Sequence, residues 1–147
     1  MATVQNLLDR KGTSVWSIAP GASVEAALSL MSQKDIGALL VMDGEKVVGI
    51  FSERDYVRKI ISNTKLSLAT PVRDFMTHPV FYISPQQPVE DCMSLMIGKH
   101  IRHLPVMKDE KLAGLISIGD VVKQVITEKE STIENLEDYI TGKEYNL

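Results

Sequence analysis

Gly49-Ile50-Phe51-Ser52-Glu53-Arg54-Asp55, GIFSERD, has a counterpart 65 residues later in Gly114-Leu115-Ile116-Ser117-Ile118-Gly119-Asp120, GLISIGD, with glycine, serine and aspartate in the same places. Reading outward from both, Val15 to Val57 aligns with Val80 to Val122 without a gap. Roughly 19 of those 43 positions are identical, which marks a duplication. The shared residues include Ile18/Ile83, Pro20/Pro85, Val24/Val89, Met31/Met96, Leu39/Leu104 and Val41/Val106, most of them suited to a core.

Each copy runs in the same order. A short extended piece (Val15 to Ile18; Val80 to Ile83) leads through a proline turn into a helical stripe at i, i+3, i+4, i+7. The stripe is Val24, Ala27, Leu28, Met31 in one copy and Val89, Cys92, Met93, Met96 in the other. Ser23 caps the first helix, and Pro88 suits the start of the second. Two strands follow, Leu39 to Met42 and Val47 to Phe51 around Asp43-Gly44, then Leu104 to Met107 and Leu112 to Ile116 around a polar turn. A further helix starts near Ser52 and near Ser117. The fold class expected is α/β (α+β), with two β-α-β-β-α repeats too small to be stable alone and packed as one module. The boundaries expected are 1–64, 65–128 and a tail at 129–147, where Ser131-Thr132-Ile133-Glu134 has the form of a capping box. Ile133, Leu136 and Ile140 give that tail a separate helical stripe. Thr70-Pro71 and Thr3 each look like a short helix start leading into a repeat, the one at Thr3 the shorter.

A chain of 147 residues with 16 basic and 19 acidic side chains carries a formal charge of -3, so nothing in the total points to nucleic acid or an anionic membrane. MATVQNLLDRKG lacks the pattern of a cleaved leader, and no apolar run approaches the roughly 18 residues of a membrane span. With a lone cysteine, Cys92, a cytoplasmic location is expected. His100 and His103 straddle a helix-to-strand junction without a third ligand, so no metal is expected. No nucleophile, base and acid fall into a triad pattern and no phosphate loop is present, so enzyme activity is not expected.

The serine and aspartate of each heptapeptide admit two readings. Ser-x-x-Asp at a helix start is itself a capping box. A strand that ends in serine and turns into a helix also presents free N–H groups to a phosphate, beside a carboxylate able to accept both hydroxyls of a ribose. Serine for phosphate and aspartate for ribose would give one nucleotide site per copy.

The repeat order, "IRHLPVM" at Ile101 to Met107, "GLISIGD", and the "VRDFMT" lead at Val72 to Thr77 resemble a CBS domain, and the duplication resembles a tandem CBS pair, or Bateman module, over about residues 3 to 128. That resemblance implies two clefts for AMP, ATP or NAD(H), a regulatory role exerted on an unknown partner chain, and a homodimer. It places ribose contacts at Asp55 and Asp120 and hydroxyl contacts at Ser52 and Ser117. The adenine slot falls to Val15 and Ser17 in one half and Val80 and Tyr82 in the other, closed by backbone at Gly37, Ala38 and Leu39 and at His103, Leu104 and Pro105. The alternative is a CBS pair without ligand, acting in interaction or oligomerisation. Arg102, His103 and Arg54 are the expected phosphate cations. Where one copy has Arg54 the other has Gly119, so two unequal sites are expected. With an ordinary imidazole pKa near 6.5, protonation of His103 would strengthen anion binding as pH falls from about 7.5 to 6. The Met31, Cys92, Met93 and Met96 stripes are expected at the dimer contact.

Overall fold

The computed structural model describes the backbone of residues 2–141 and the side chains of residues 2–130. The first repeat contains β1 (Ser17–Ile18), α2 (Val24–Lys34), β2 (Ala38–Asp43), β3 (Lys46–Ser52) and α3 (Glu53–Ser62), preceded by α1 (Val4–Lys11). In the second repeat are α4 (Val89–Lys99), β4 (His103–Lys108), β5 (Lys111–Ser117) and α5 (Ile118–Thr141), preceded by a 3₁₀ turn at Val72–Asp74. β1 runs parallel to β2, and β2 pairs antiparallel with β3; β4 and β5 form the matching hairpin. Its two-residue turn places Asp109 and Glu110 at positive φ, as a primed turn requires. Ser23 Oγ accepts from the Ala26 N–H to cap α2, whereas Pro88 at the same position of α4 offers no side-chain bond.

Two cores result, and each is completed by the segment that leads into the other repeat. Val24, Ala27, Met31, Leu39, Val41 and Phe51 pack with Val72 and Phe75, which precede the second repeat. Val89, Cys92, Met96, Leu104, Ile116 and Val121 pack with Val4, Leu7 and Leu8 from α1. The backbone repeats the exchange: the Val4 N–H donates to Gln87 O (2.9 Å), and the Val72 N–H donates to Ala22 O (2.8 Å). Phe75 lies edge-on to Phe51 and stacks on Tyr56, which anchors the second lead-in to the first core. This exchange gives the glycines of the two heptapeptides their reason. A Cβ at Gly49 would collide with Met76, and one at Gly114 would sit 2.8 Å from Leu8 Cδ2.

Several expectations change. Met31, Cys92 and Met96 are buried in the chain's own cores and Met93 packs against one of them, so these stripes are not a surface for a second copy. Burial, with Asp91 adding to it, pushes the Cys92 thiol up to about 11, which leaves it an inert core residue. The extended piece at Val80 to Ile83 forms a single parallel bridge from Ile83 to Val106 instead of a strand. The C-terminal segment is helical, but α5 runs unbroken from Ile118 to Thr141, so Ser131 starts no new helix. Ile133, Leu136 and Ile140 lie outside the described side chains. Of the two lead-ins the first is the longer, two turns of α-helix against one 3₁₀ turn, because a full capping box joins Thr3 and Asn6.

Candidate functional site

β3 delivers Ser52 to the first turn of α3, and the capping reading is realised there. The Ser52 N–H donates to Asp55 Oδ2 (3.0 Å), the Ser52 hydroxyl donates to the same oxygen (3.0 Å), and the Asp55 N–H donates to Ser52 Oγ (3.2 Å). The other carboxylate oxygen, Oδ1, accepts from the Thr77 hydroxyl at 3.0 Å. Thr77 reaches it because its backbone pairs with Ile50 through two hydrogen bonds, 2.8 and 3.1 Å, along the open edge of β3. Gly37 O takes the Glu53 N–H (3.1 Å), which consumes another first-turn donor.

Ser117 and Asp120 repeat the cap at α5, with the Ser117 N–H on Asp120 Oδ2 (2.8 Å) and the Asp120 N–H on Ser117 Oγ (3.2 Å). Arg102 O accepts the Ile118 N–H (2.8 Å), as Gly37 O does in the first half. What faces the carboxylate differs. Lys11, the last residue of α1, places Nζ 2.5 Å from Asp120 Oδ2 and 2.6 Å from Leu115 O. Burial alone would raise the Asp120 pKa, but the Lys11 and Ser117 hydrogen bonds outweigh it and hold the carboxyl below its ordinary value.

His103 lies opposite Ser117 in the β4–β5 ladder, as Ala38 lies opposite Ser52. Burial lowers its pKa below 6.5, and Lys11 and Arg102 push it the same way, against the pull of Asp120 and Asp55. The charges of both aspartates therefore act on this one imidazole. The pH window expected for it moves accordingly. Its proton is taken up below 6.5, so strengthening of anion binding between pH 7.5 and 6 is no longer expected.

A cleft of about 360 Å³ separates the halves, within the size range of small-molecule sites. Val80, Tyr82 and Pro105 line it together with Lys46, Val48, His78 and Met107 among others, whereas Ser52, Asp55, Ser117 and Asp120 do not. The alternate residues of the lead-in strands turn elsewhere: Trp16 lies under Lys34 Nζ at 4.2 Å, and Phe81 under Lys99 Nζ at 5.3 Å. Val15 and Ser17 do not line this cleft; Ser17 is exposed and pairs in register with Leu40. Ala38, Leu39, Leu104 and Pro105 are buried, while Arg54, Arg102 and Gly119 are exposed. Gly119 opens onto a separate outer groove of α5 with Ile118, Val122 and Ile126.

Lys11, Thr77 and His78 escape the sequence reading because they lie outside the aligned 43 residues, and Lys46, identical to Lys111 in the other repeat, because a lysine beside a hairpin turn reads as a solvated residue. One signal for Lys11 does exist. Met76 stands 68 residues beyond Leu8, and each covers the glycine of a heptapeptide, whereas Asp120 is only 65 beyond Asp55. The first lead-in therefore carries three extra residues between Leu8 and Val15, the stretch that includes Lys11.

The pattern of the CBS domain matches residues 11–62 and again 72–127. This chain belongs to the CBS-domain family. It is similar to the mitochondrial CBS domain-containing protein CBSX3 of Arabidopsis thaliana, 36% identical over 150 residues that span 95% of this chain and 72% of that one. A crystal structure of the CBS domain protein NE2398 superposes with a TM-score of 0.80 at 46% identity, covering 85% of this chain and 98% of the other. The CBS domain protein PAE2072 of Pyrobaculum aerophilum, solved in complex with AMP, shares the fold at a TM-score of 0.72 and 21% identity, over 86% of this chain and 99% of that one. The two repeats are thus a tandem CBS pair. Among the described residues, no group of three His, Cys, Asp or Glu side chains comes together to hold a metal, and no helix is long and apolar enough to cross a membrane.

Proposed function

We propose that this CBS pair is a regulatory module that binds an adenosine nucleotide, AMP, ATP or NAD(H), at the clefts between its repeats and acts on a separate partner chain by binding rather than catalysis. One observation carries this reading: the two repeats build the same Ser-x-x-Asp junction, at Ser52/Asp55 and Ser117/Asp120, each where a strand turns into a helix N-terminus, with Ala38 opposite Ser52 and His103 opposite Ser117 in the matching hairpins. The AMP complex of the Pyrobaculum protein supports the ligand class. Asp55 and Asp120 hold the ribose hydroxyls, Ser52 and Ser117 with the first-turn amides left free in α3 and α5 meet the phosphate, Arg54 and Arg102 supply positive charge, and His103 contributes a neutral imidazole N–H. Titration calorimetry with AMP, ATP and NAD(H) tests it. Each of Asp55→Ala and Asp120→Ala removes one class of site, at about 1 kcal/mol of stability for the lost cap. A doubly substituted chain that still binds as the parent does rules the ribose role out.

A homodimer belongs to the same proposal, with a different contact from the methionine stripes. Val57 and Ile61 on α3 and their repeat equivalents Val122 and Ile126 on α5, with Ile118, are all exposed. Stripes of that kind on both repeats suit a second copy related by two-fold symmetry. Light scattering at micromolar concentration should give twice the chain mass, and Ile61→Asp with Ile126→Asp should halve it. A monomeric parent would falsify the contact.

A further inference from the structure

The stretch that is longer in the first lead-in includes Lys11, and Lys11 reaches the carboxylate that the repeat pairs with Asp55. We infer that Lys11 is a specificity-determining residue of the second site: it neutralises Asp120 while leaving Oδ1 open, so that this site takes a phosphorylated adenosine ligand in preference to the bare nucleoside and the Asp55 site does not discriminate in the same way. This rests on the nucleotide reading above and deepens it.

The hydrogen bonds separate the two sites. A carboxylate offers about four lone-pair positions. At Asp55 three are used, by the Ser52 N–H, the Ser52 hydroxyl and the Thr77 hydroxyl, so a ribose diol must displace one of these donors to bind in bidentate fashion. At Asp120 the Ser117 N–H and Lys11 both fall on Oδ2, and among the described residues no donor occupies Oδ1. Oδ1 can therefore receive the diol without rearrangement.

Charge separates them further. A phosphate held close to a bare carboxylate meets like charge, whereas the Lys11–Asp120 pair presents none, and the Arg102 backbone is bonded to Ile118 at the same helix start. Lys11 also has a reason to stay. Its second bond, to Leu115 O at 2.6 Å, holds the ammonium beside the site when the carboxylate turns to ribose. Thr77, which closes the first site, carries no charge; Arg54 beside it is exposed, and the Lys59 ammonium bonds Phe75 O and Met76 O instead of the Asp55 carboxylate.

Titration calorimetry of the full chain with AMP and with adenosine, in an Asp55→Ala background that silences the first site, tests this. Lys11→Met should cut the preference for AMP over adenosine about tenfold or more, the range for losing a charged hydrogen-bonding partner. Lys11→Arg should restore it. By NMR the His103 imidazole should titrate at higher pH in Lys11→Met, because a neighbouring cation is gone. An unchanged preference overturns the inference, as does tighter AMP binding in Lys11→Met, which would make the lysine a plug. Equal loss of both ligands, unrescued by arginine, assigns Lys11 a purely structural role and also overturns it. If the parent chain binds neither AMP nor adenosine, the nucleotide reading itself fails and the inference falls with it.

Discussion

The two lead-in segments do the same packing job with different chemistry. Val4, Leu7 and Leu8 seal the second core as Val72, Phe75 and Met76 seal the first, and each covers a heptapeptide glycine. Beyond that shared hydrophobic contact they diverge. The first continues for another turn and ends with an ammonium on Asp120; the second stops and turns a hydroxyl onto Asp55. Duplication thus kept what the cores require and left the residue facing each carboxylate free to change.

The largest effect should come from breaking the exchange. Phe75 is fully buried against Phe51 and Tyr56, so Phe75→Ala should cost about 3–5 kcal/mol, and Leu7→Ala about 2–5 kcal/mol in the opposite core. Both should appear as a lowered urea midpoint. Each substitution lies outside the repeat whose core it empties, so amide exchange should rise first in the other repeat. Protection lost only within the substituted segment would show that the cores do not depend on exchanged segments.

Much of this organisation is legible in the sequence because the identical positions repeat at 65 residues and fall on core-facing stripes. Helices at Val24 and Val89 and both hairpins follow from spacing alone, and the Ser-x-x-Asp caps at Ser52 and Ser117 are one of the two readings that the spacing allows. The lead-ins were harder to read. Their register is 68, so a search at 65 misses the match between Leu8 and Met76 and, with it, the longer stretch that includes Lys11. The methionine stripes misled for a related reason: α2 and α4 look too apolar for one repeat until the exchanged residues are counted as their neighbours. At Ser131 a capping box is written in the sequence, yet α5 passes through it, since a serine in mid-helix costs less than breaking a continuous backbone ladder.

A smaller effect concerns pH, and it belongs to the second half. In the unfolded chain His103 takes up a proton near 6.5; folded, it does so only at lower pH, because burial and Lys11 oppose the charge. Between those values the unfolded state binds more protons, so stability falls as pH drops through this window and recovers as pH rises. Asp120 acts at lower pH with the usual sign for a carboxylate. Its contribution is fully present above the unfolded value of 3.8 and is lost as pH falls through its lower folded value. Thermal midpoints from pH 7 to 5 should therefore decline less in His103→Gln than in the parent, while the steeper loss below pH 4 persists. An identical slope in both proteins between pH 7 and 5 would remove His103 from the account.

The smallest effect sharpens the contrast at the carboxylates. Thr77→Val deletes one hydrogen bond from an uncharged hydroxyl to the Asp55 carboxylate and keeps the shape of the side chain, so about 0.5–1.5 kcal/mol of stability should go, with the Ser52 cap intact. Thr77 is exposed, and water can replace part of what is lost, which places the effect at the lower end. Its consequence for binding is the useful part. If the sites differ because of charge, Thr77→Val in an Asp120→Ala background should leave the ratio of AMP to adenosine affinity at the first site where it was, while freeing an acceptor position for the diol and tightening both ligands together. If the sites differ only in how many acceptor positions stand open, the second site should prefer AMP over adenosine no more than the first does, and Thr77→Val should raise both affinities at the first site to those of the second. Titration calorimetry of that variant separates charge from acceptor count, because the hydroxyl contributes to one and not to the other.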